Sequence, residues 1–196
     1  MTTASAPIPT AAPKSVPREK TISWEQFQKK YLQREDRYKY EWVNGLVEKT
    51  PRTMFQIQTL IWRNLKNCLQ VLSVQMGIPL GELMMKVDCF FGGIHRRPDI
   101  SYFSEAQIDA IPSGNQVPQF VIEVISNTDQ MLLVHKKMRD YRNANVPVVW
   151  HVFPDLQEVH VYQGEHMTIC RGEKLCSAAP VLPEFKVAAR DIFKTI

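Results

Sequence analysis

The sequence lacks the patterns that identify several common classes of protein. Its four cysteines form no CxxC pair and no zinc-ligand spacing with the five scattered histidines, which favours buried thiols in a reducing, cytoplasmic compartment over a zinc site. The apolar runs fall far short of the roughly 18 to 20 residues that cross a bilayer, so no transmembrane segment is predicted. The formal net charge of +4 is too mild to demonstrate an anionic partner by itself.

What the sequence does contain is the composition of a globular protein. Of its 196 residues, 44% are hydrophobic and 22% are charged, which argues against a largely disordered or fibrous chain. Residues 1–20 are rich in Pro, Ala, Ser and Thr and cannot bury enough apolar surface to offset the entropy lost on ordering. We therefore predict a disordered leader over residues 1–20 and a single domain over residues 21–196.

The first third of the domain carries clear local signals. Ser23 followed by Gln26 resembles a capping box and predicts a short helix to about Arg34. The pair Asn44-Gly45 between two β-prone runs predicts a tight hairpin turn. Apolar residues at helical spacing then predict a long amphipathic helix over residues 53–76.

The remainder of the chain reads as strands with one long helix between them. The pattern predicts strands in LMMKVDCFF (83–91), RPDISYF (97–103), QFVIEVI (119–125), VPVVWHVF (146–153) and EVHVY (158–162). A loop or short helix is expected near residues 104–111, and a short terminal helix near 188–193. The helical run that begins at Thr128 or Asp129 separates two of the strands, and this order favours a right-handed parallel crossover.

A glutamate interrupts the most apolar of these strands. Glu123 lies within QFVIEVI, whereas strands beside a parallel crossover are usually covered on both faces and continuously apolar. An unpaired, ionised carboxylate in such a place costs several kcal/mol. Glu123 must therefore be protonated, paired with a cation or bound to a metal.

Three other residues are candidates for the surroundings of this glutamate. Asp99 opens the neighbouring strand, although it also suits a simple strand edge. Lys137 lies beside the core-facing stripe of the following helix, although such lysines often snorkel to water. Glu41 lies in the hairpin, where glutamates are usually solvated. Together these residue types are typical of a Mg²⁺ or Mn²⁺ site that activates water for phosphodiester hydrolysis.

The segments in this order resemble the Uma-type restriction endonuclease family, within the PD-(D/E)XK nuclease-like superfamily. The resemblance covers nearly all of residues 21–196 and rests on KYEWVNGLVEKT, RPDISYF, VIEVIS, KKMRDYRNANVPVVWHVFP and VLPEFKV. It implies an α/β, restriction-endonuclease-like fold, in which a central mixed β-sheet is flanked by helices and accompanied by an N-terminal helix and a β-hairpin.

The resemblance also implies a role for each candidate residue. Asp99 and Glu123 correspond to ligands of Mg²⁺ or Mn²⁺, Glu41 to an additional acidic residue, and Lys137 to the catalytic lysine. The superfamily's lysine usually stands two residues after the glutamate, where this chain has Ile125, so Lys137 has to reach back from the following helix. The implied substrate is DNA, and cutting both strands of a duplex needs two active sites, so the analogy suggests a homodimer.

Basic residues near these segments are candidates for contacts with DNA backbone phosphates. They are Arg96, Arg97, Lys136 and Arg139. Such contacts would make the affinity depend on salt, and ordinary solvated charge explains the same residues equally well.

Two other functions fit the same residues. The first is a nucleic-acid-binding or regulatory protein that keeps the fold without turnover, since the lysine is displaced. The second is a homo-oligomeric interaction module in which Glu123 and Lys137 form a structural ion pair. Histidine-based catalysis is not expected, because the five histidines form no ligand spacing and no recognisable nucleophile partner.

Overall fold

The computed structural model describes residues 20–51, 55–126 and 130–195 of the chain. The predicted leader, the start of the long helix at residue 53 and the helix opening at Thr128 or Asp129 lie outside these residues. The division into a leader and one domain therefore stays a prediction. In the part of the chain that is described, no helix is long and apolar enough to cross a membrane.

The described residues form twelve strands and five α-helices. The strands are β1 (Tyr38–Val43), β2 (Leu46–Pro51), β3 (Glu82–Met85), β4 (Cys89–Phe91), β5 (Ile94–Arg96), β6 (Ile100–Phe103), β7 (Phe120–Val124), β8 (Val148–Phe153), β9 (Glu158–Gln163), β10 (His166–Arg171), β11 (Leu175–Ala178) and β12 (Leu182–Ala188). The helices are α1 (Trp24–Phe27), α2 (Phe55–Met76), α3 (Glu105–Ala110), α4 (Met131–Asn143) and α5 (Ala189–Ile192).

A mixed sheet of six strands forms the centre of the fold, in the order β10-β9-β8-β7-β6-β3. The pair β7–β8 is parallel, and the other pairs of this sheet are antiparallel. Helix α4 connects the two parallel strands, which confirms the parallel pairing predicted from the order of strand, helix and strand. The predicted mixed sheet with flanking helices is confirmed.

The two faces of this sheet are covered differently. One face packs against α2, α5 and β12, and its core includes Ile61, Leu65 and Trp150, all completely buried. The opposite face is covered by α4, where Met138 and Tyr141 pack with residues of β7 and β8. Side chains alternate along β7, so its apolar even-numbered residues enter the first core while Glu123 faces α4.

A second sheet carries the predicted hairpin, in the order β2-β1-β5-β4. The turn between β1 and β2 has Asn44 at φ 50° and Gly45 at φ 88°, the left-handed conformations that this dipeptide favours, so the hairpin is confirmed. Strand β1 pairs with β5 in antiparallel orientation, with Trp42 in register with His95. The capping box of Ser23 and Gln26 is also confirmed at the start of α1, which continues as a π-helical turn over Gln28–Leu32.

One predicted strand is wrong. The run LMMKVDCFF is divided into β3, which pairs with β6 in the six-stranded sheet, and β4, which pairs with β5 in the second sheet. Lys86 adopts φ 52° between them, and its backbone N–H donates to the Asp99 carbonyl at 3.1 Å. The chain therefore turns out of one sheet and into the other at this lysine, and residues 97–99 complete the return crossing.

Candidate active site

Asp99, Glu123 and His151 form one row across three neighbouring strands. Glu123 in β7 is the register partner of His151 in the parallel strand β8. The antiparallel register of β6 on β7 pairs Ile100 with Ile122, and its continuation places Asp99 opposite Glu123. Residues in register on neighbouring strands face the same side of a sheet. The three side chains therefore share the face that α4 covers.

Lys137 reaches this row from α4. Its Nζ donates to both carboxylate oxygens of Glu123, at 3.2 and 3.1 Å, and the residue is only 8% exposed. Burial would lower the pKa of Lys137, but the carboxylates of Glu123 and Glu41 outweigh burial and raise it. The ammonium therefore stays charged at neutral pH, which suits the stabilisation of negative charge rather than the abstraction of a proton.

Tyr141, one helical turn beyond Lys137, is a second partner of the glutamate. Its hydroxyl donates to Glu123 Oε1 at 2.5 Å. Burial, reinforced by the Glu123 carboxylate, raises the pKa of Tyr141 well above its ordinary value, so the phenol remains a neutral donor. The sequence places this tyrosine on the core-facing stripe; its spacing of four residues from the lysine is the signal that assigns it to the site.

Glu41 lies behind the row, in the hairpin arm, and is 1% exposed. Its Oε1 accepts the backbone N–H of Arg97 at 2.8 Å, and its Oε2 lies 3.7 Å from Lys137 Nζ and 3.4 Å from Arg96 Nη1. Burial would raise the pKa of Glu41, but the charges of Lys137, Lys39 and Arg96 lower it far below its ordinary value. Both oxygens are thus engaged, and this carboxylate orients the cations around the site.

Lys39 is a site residue that the sequence reasoning missed. Its Nζ donates to the Arg97 carbonyl at 2.9 Å and lies 3.8 Å from Asp99 Oδ1 and 4.0 Å from Glu41 Oε1. It lies two positions before Glu41 on β1, and residues at this spacing face the same side of a strand. That spacing is the signal in the sequence that points to a second lysine.

The two carboxylates of the row have opposite protonation tendencies. Burial and the neighbouring Glu123 raise the pKa of Asp99, against the charges of Lys39 and Lys137. Burial also acts to raise the pKa of Glu123, but Lys137 and Lys39 outweigh it and lower this pKa. Asp99 Oδ2 accepts the Val124 N–H at 3.0 Å, and its Oδ1 has the long contact with Lys39. Asp99 is therefore the less compensated of the two acids.

These side chains surround a cavity of about 280 Å³. Its wall includes Ile125, the residue at the superfamily's usual lysine position, which is 8% exposed. Glu41 and Tyr141 support this wall from behind. The polar and charged residues of the lining include Lys39, Gln58, Arg97, Asp99, Glu123, Lys137 and His151.

The donor set of this cavity fits a hard divalent cation. Within residues 20–51, 55–126 and 130–195, no group of three or more His, Cys, Asp or Glu side chains is arranged to hold a metal ion. Mg²⁺, however, is usually bound through only one or two carboxylates, together with waters and substrate phosphates. Asp99 and Glu123 supply two such carboxylates on one wall. Burial, and after it the charge of Glu123, raises the pKa of Asp99, and a bound cation would offset both effects.

The predicted phosphate contacts divide into one wrong assignment and three open ones. Arg96 is completely buried; its guanidinium donates to Asp140 Oδ2 at 3.0 and 2.6 Å and also bonds Glu48 and Glu41. It cannot reach a nucleic acid. Three residues remain candidates. Arg97 lines the cavity and forms an ion pair with Asp88, and Lys136 and Arg139 are more exposed.

His151 is a cavity residue that the sequence reasoning assigned to the core or the surface. It is 4% exposed, and burial lowers the pKa of His151 to about 4, against the opposing charge of Glu123. The signal that could have found it is the parallel register of the two strands. Once Phe120 is aligned with Val148, the glutamate falls beside the histidine.

Comparisons with known proteins agree with this architecture. Residues 24–190 match the model of the Uma2 family, described as "Putative restriction endonuclease". A crystal structure titled a "putative nuclease belonging to DUF820 from Anabaena variabilis ATCC 29413" superposes with a TM-score of 0.69 at 19% sequence identity, over 88% of this chain and 97% of that one. At this identity the superposition shows the fold alone. No curated protein matches the chain.

Proposed function

The chain belongs to the Uma2 family of restriction-endonuclease-like proteins, and on that premise we propose that it is a metal-dependent endonuclease that hydrolyses DNA phosphodiester bonds. The observation that carries the proposal is the convergence of Asp99, Glu123 and Lys137 on one cavity, from two neighbouring strands and the helix that covers them. Fold resemblance alone would not support an activity; the chemistry of these three side chains does.

Asp99 and Glu123 are the proposed ligands of Mg²⁺ or Mn²⁺. When bound, such a cation supplies Lewis-acid stabilisation of the phosphate and a nucleophile at neutral pH. The chain's own contribution is to fix the two carboxylates: Asp99 through the Val124 N–H, and Glu123 through Tyr141. A carboxylate held in this way loses little entropy when a ligand arrives.

Lys137 is the proposed charge-stabilising residue. Glu123 and Glu41 raise its pKa, so its ammonium stays charged. Because Lys137 lines the cavity, this ammonium can donate hydrogen bonds to a phosphate oxygen as negative charge develops there. Lys39 flanks the same cavity from the hairpin side and supplies a second cation. Glu41 keeps both ammonium groups oriented, a positioning role without direct contact with the substrate.

The test of this proposal is cleavage of plasmid DNA, single-stranded DNA and RNA by the purified protein with Mg²⁺ or Mn²⁺. We expect cleavage that EDTA abolishes and that Asp99→Asn reduces by at least about 100-fold, the loss expected when one electrostatic contact to the reacting group disappears. The asparagine keeps an oxygen that can accept the Val124 N–H, so the variant should fold like the wild type. Cleavage of DNA that is equal in the variant would sink the proposal, as would its absence from both proteins.

A second candidate function has one observation in its favour. Lys137 already neutralises Glu123 through both carboxylate oxygens, which is the structural ion pair expected of a protein without turnover. Calorimetry with Mn²⁺ separates the two: heat of binding that disappears in Asp99→Asn supports the nuclease. No binding, combined with a large loss of stability in Lys137→Met, supports a structural role in an interaction module.

A further inference from the structure

Two buried polar atoms on the cavity wall have no partner among the described residues. They are Oε1 of Gln58, on α2, and Nε2 of His151, on β8. Both residues line the cavity that also holds Asp99, Glu123 and the two lysines, and they are 7% and 4% exposed. A buried polar atom without a hydrogen bond is unfavourable, and native proteins rarely leave one. Both atoms are available to a ligand or a bound water.

The rest of the cavity lining indicates the class of this ligand. Lys39, Lys86, Arg97 and Lys137 line the same space against the carboxylates of Asp99 and Glu123, so its net positive charge attracts an anionic group. A neutral imidazole can donate Nε2–H to an anionic oxygen without adding charge, whereas the amide oxygen of Gln58 accepts its hydrogen bond from a water. The cavity volume of about 280 Å³ is just below the ~300–1,000 Å³ of small-molecule pockets, so it suits one phosphate with part of its sugar.

We infer that His151 is a substrate-contacting residue, which donates Nε2–H to a non-bridging oxygen of a phosphodiester held in this cavity, while Oε1 of Gln58, an acceptor, holds a water beside that phosphate. The inference rests on the proposed nuclease function and extends it to residues on the two sides of the acid and lysine cluster. We assign His151 the role of a hydrogen-bond donor and not of a general base, because no hydroxyl nucleophile is bonded to its Nε2 among the described residues.

Its strand position makes this role specific to His151. The next residue in the row is His160 on β9, the register partner of His151, but His160 lies outside the cavity lining and its Nε2 is 3.3 Å from Glu158 Oε2. The two histidines therefore allow a matched comparison. Nε2 of His151 lines the cavity without a partner among the described residues, whereas Nε2 of His160 lies outside the cavity and contacts Glu158.

The test compares His151→Leu, His151→Gln and His160→Leu by steady-state cleavage of a short oligodeoxynucleotide. Loss of one hydrogen bond to a charged group corresponds to about a 10- to 100-fold change. We expect KM to rise by this factor in His151→Leu with a much smaller change in kcat. His151→Gln, whose amide nitrogen can replace Nε2, should recover most of the loss, and His160→Leu should behave like the wild type.

A second measurement does not depend on turnover. The imidazole nitrogen resonances of the wild-type protein are followed by NMR as inorganic phosphate is added, with His151 assigned by its disappearance in His151→Gln. A shift confined to the Nε2 resonance of His151 supports the inference even if the protein cuts no substrate, a result that overturns the proposed function alone. Cleavage by the wild type together with an unchanged KM in His151→Leu and no phosphate-induced shift overturns the inference and leaves the proposed function intact.

Discussion

At the scale of single residues, the site is a set of buried charges that compensate one another unequally. Glu123 has a lysine and a tyrosine on its two oxygens, whereas Asp99 has one backbone N–H and a distant lysine. This inequality explains why the pKa of Asp99 rises while that of Glu123 falls. A site with one compensated and one available carboxylate is prepared to accept an additional cation.

Asp88 allows a test of pH dependence at this scale. Burial would raise the pKa of Asp88, but hydrogen bonds to His95 and Arg97 outweigh burial and lower it to about 2 from its ordinary 3.8. A depressed carboxylate pKa contributes stability above the unfolded value, and this is lost as pH falls through the folded value. We expect wild type to be more stable than Asp88→Asn at pH 6, and the difference to disappear between about pH 4 and pH 2.

Urea unfolding of both proteins across this pH range measures the difference. The matched control is Asp109→Asn, since Asp109 lies exposed on α3 and should give no pH-dependent difference. A gap between wild type and Asp88→Asn that stays constant down to pH 2 would contradict the prediction. The expected size is modest, because the Asp88 side chain is 35% exposed and water screens the pair.

At the scale of elements, Arg96 joins parts of the fold that few backbone hydrogen bonds connect. It ends β5, bonds Glu48 and Glu41 of the hairpin, and donates twice to Asp140 of α4. Strands β1 and β5 share one register pair among the described residues, so side-chain contacts hold much of this junction together. An arginine read from the sequence as a phosphate contact is in fact the junction between the hairpin and the helix that carries Lys137.

Replacement of this arginine should destabilise the protein strongly. Arg96→Met removes the guanidinium that donates twice to the buried carboxylate of Asp140 and one of the three cations around Glu41, and breaking a buried charge pair from one side costs about 3 to 5 kcal/mol. Arg96→Lys keeps the charge but loses the planar fork, so it should recover part of the loss. Free energies of unfolding from denaturant titration give both values. A loss below about 1 kcal/mol in Arg96→Met would contradict the role assigned to it.

The elements that could be predicted from the sequence are those with a strong local period or turn signal. The Asn44-Gly45 turn, the amphipathic α2 and the succession of β7, α4 and β8 are of this kind. The division between β3 and β4 could not be predicted, because it depends on Lys86, a non-glycine residue at positive φ. Strands β10, β11 and β12 were also missed. Their sequences do not alternate clearly between apolar and polar residues, and these strands are recognised only by their pairing with β9 or with each other.

Asp99, Glu123 and Lys137 were grouped from the sequence, because a charge inside an apolar strand is conspicuous. The structure brings them to one cavity, and their roles stay predictions. Lys39, Tyr141 and His151 were missed for a different reason. Each is ordinary in its own element and becomes part of the site only through register or helix spacing. The burial of Arg96 depends likewise on contacts across four elements, which no local pattern reports.

At the scale of the whole molecule, Lys136 and Arg139 are the predicted contacts to a nucleic-acid backbone. Lys136 and Arg139 lie on the outer side of α4, the helix whose inner side holds Lys137. A protein that neutralises DNA phosphates loses affinity with salt, by a slope of about 0.9 per phosphate on a double-logarithmic plot. The pair Lys136→Gln and Arg139→Gln should therefore weaken DNA binding and reduce this slope by about two.

Fluorescence anisotropy of a labelled duplex at several salt concentrations gives the slope. The control is the pair Lys174→Gln and Lys186→Gln, two exposed lysines next to or on β11 and β12. These strands pack on the opposite side of the six-stranded sheet. The same reduction in both pairs would show that total charge, and not the α4 surface, governs the slope.

The assembly of the site from two sheets also affects how the protein loses activity. Glu123 belongs to the six-stranded sheet, and Asp99 directly precedes its strand β6. Lys39 and Glu41 belong to the hairpin. Elements held mainly by a few side chains open at lower free energy than the core to which they are attached. Transient detachment of the hairpin would remove one lysine and leave the other without Glu41 while the central sheet stays folded. Backbone amides of β1 and β2 should accordingly exchange with solvent earlier than those of β7 and β8, and inactivation by mild denaturant should precede global unfolding.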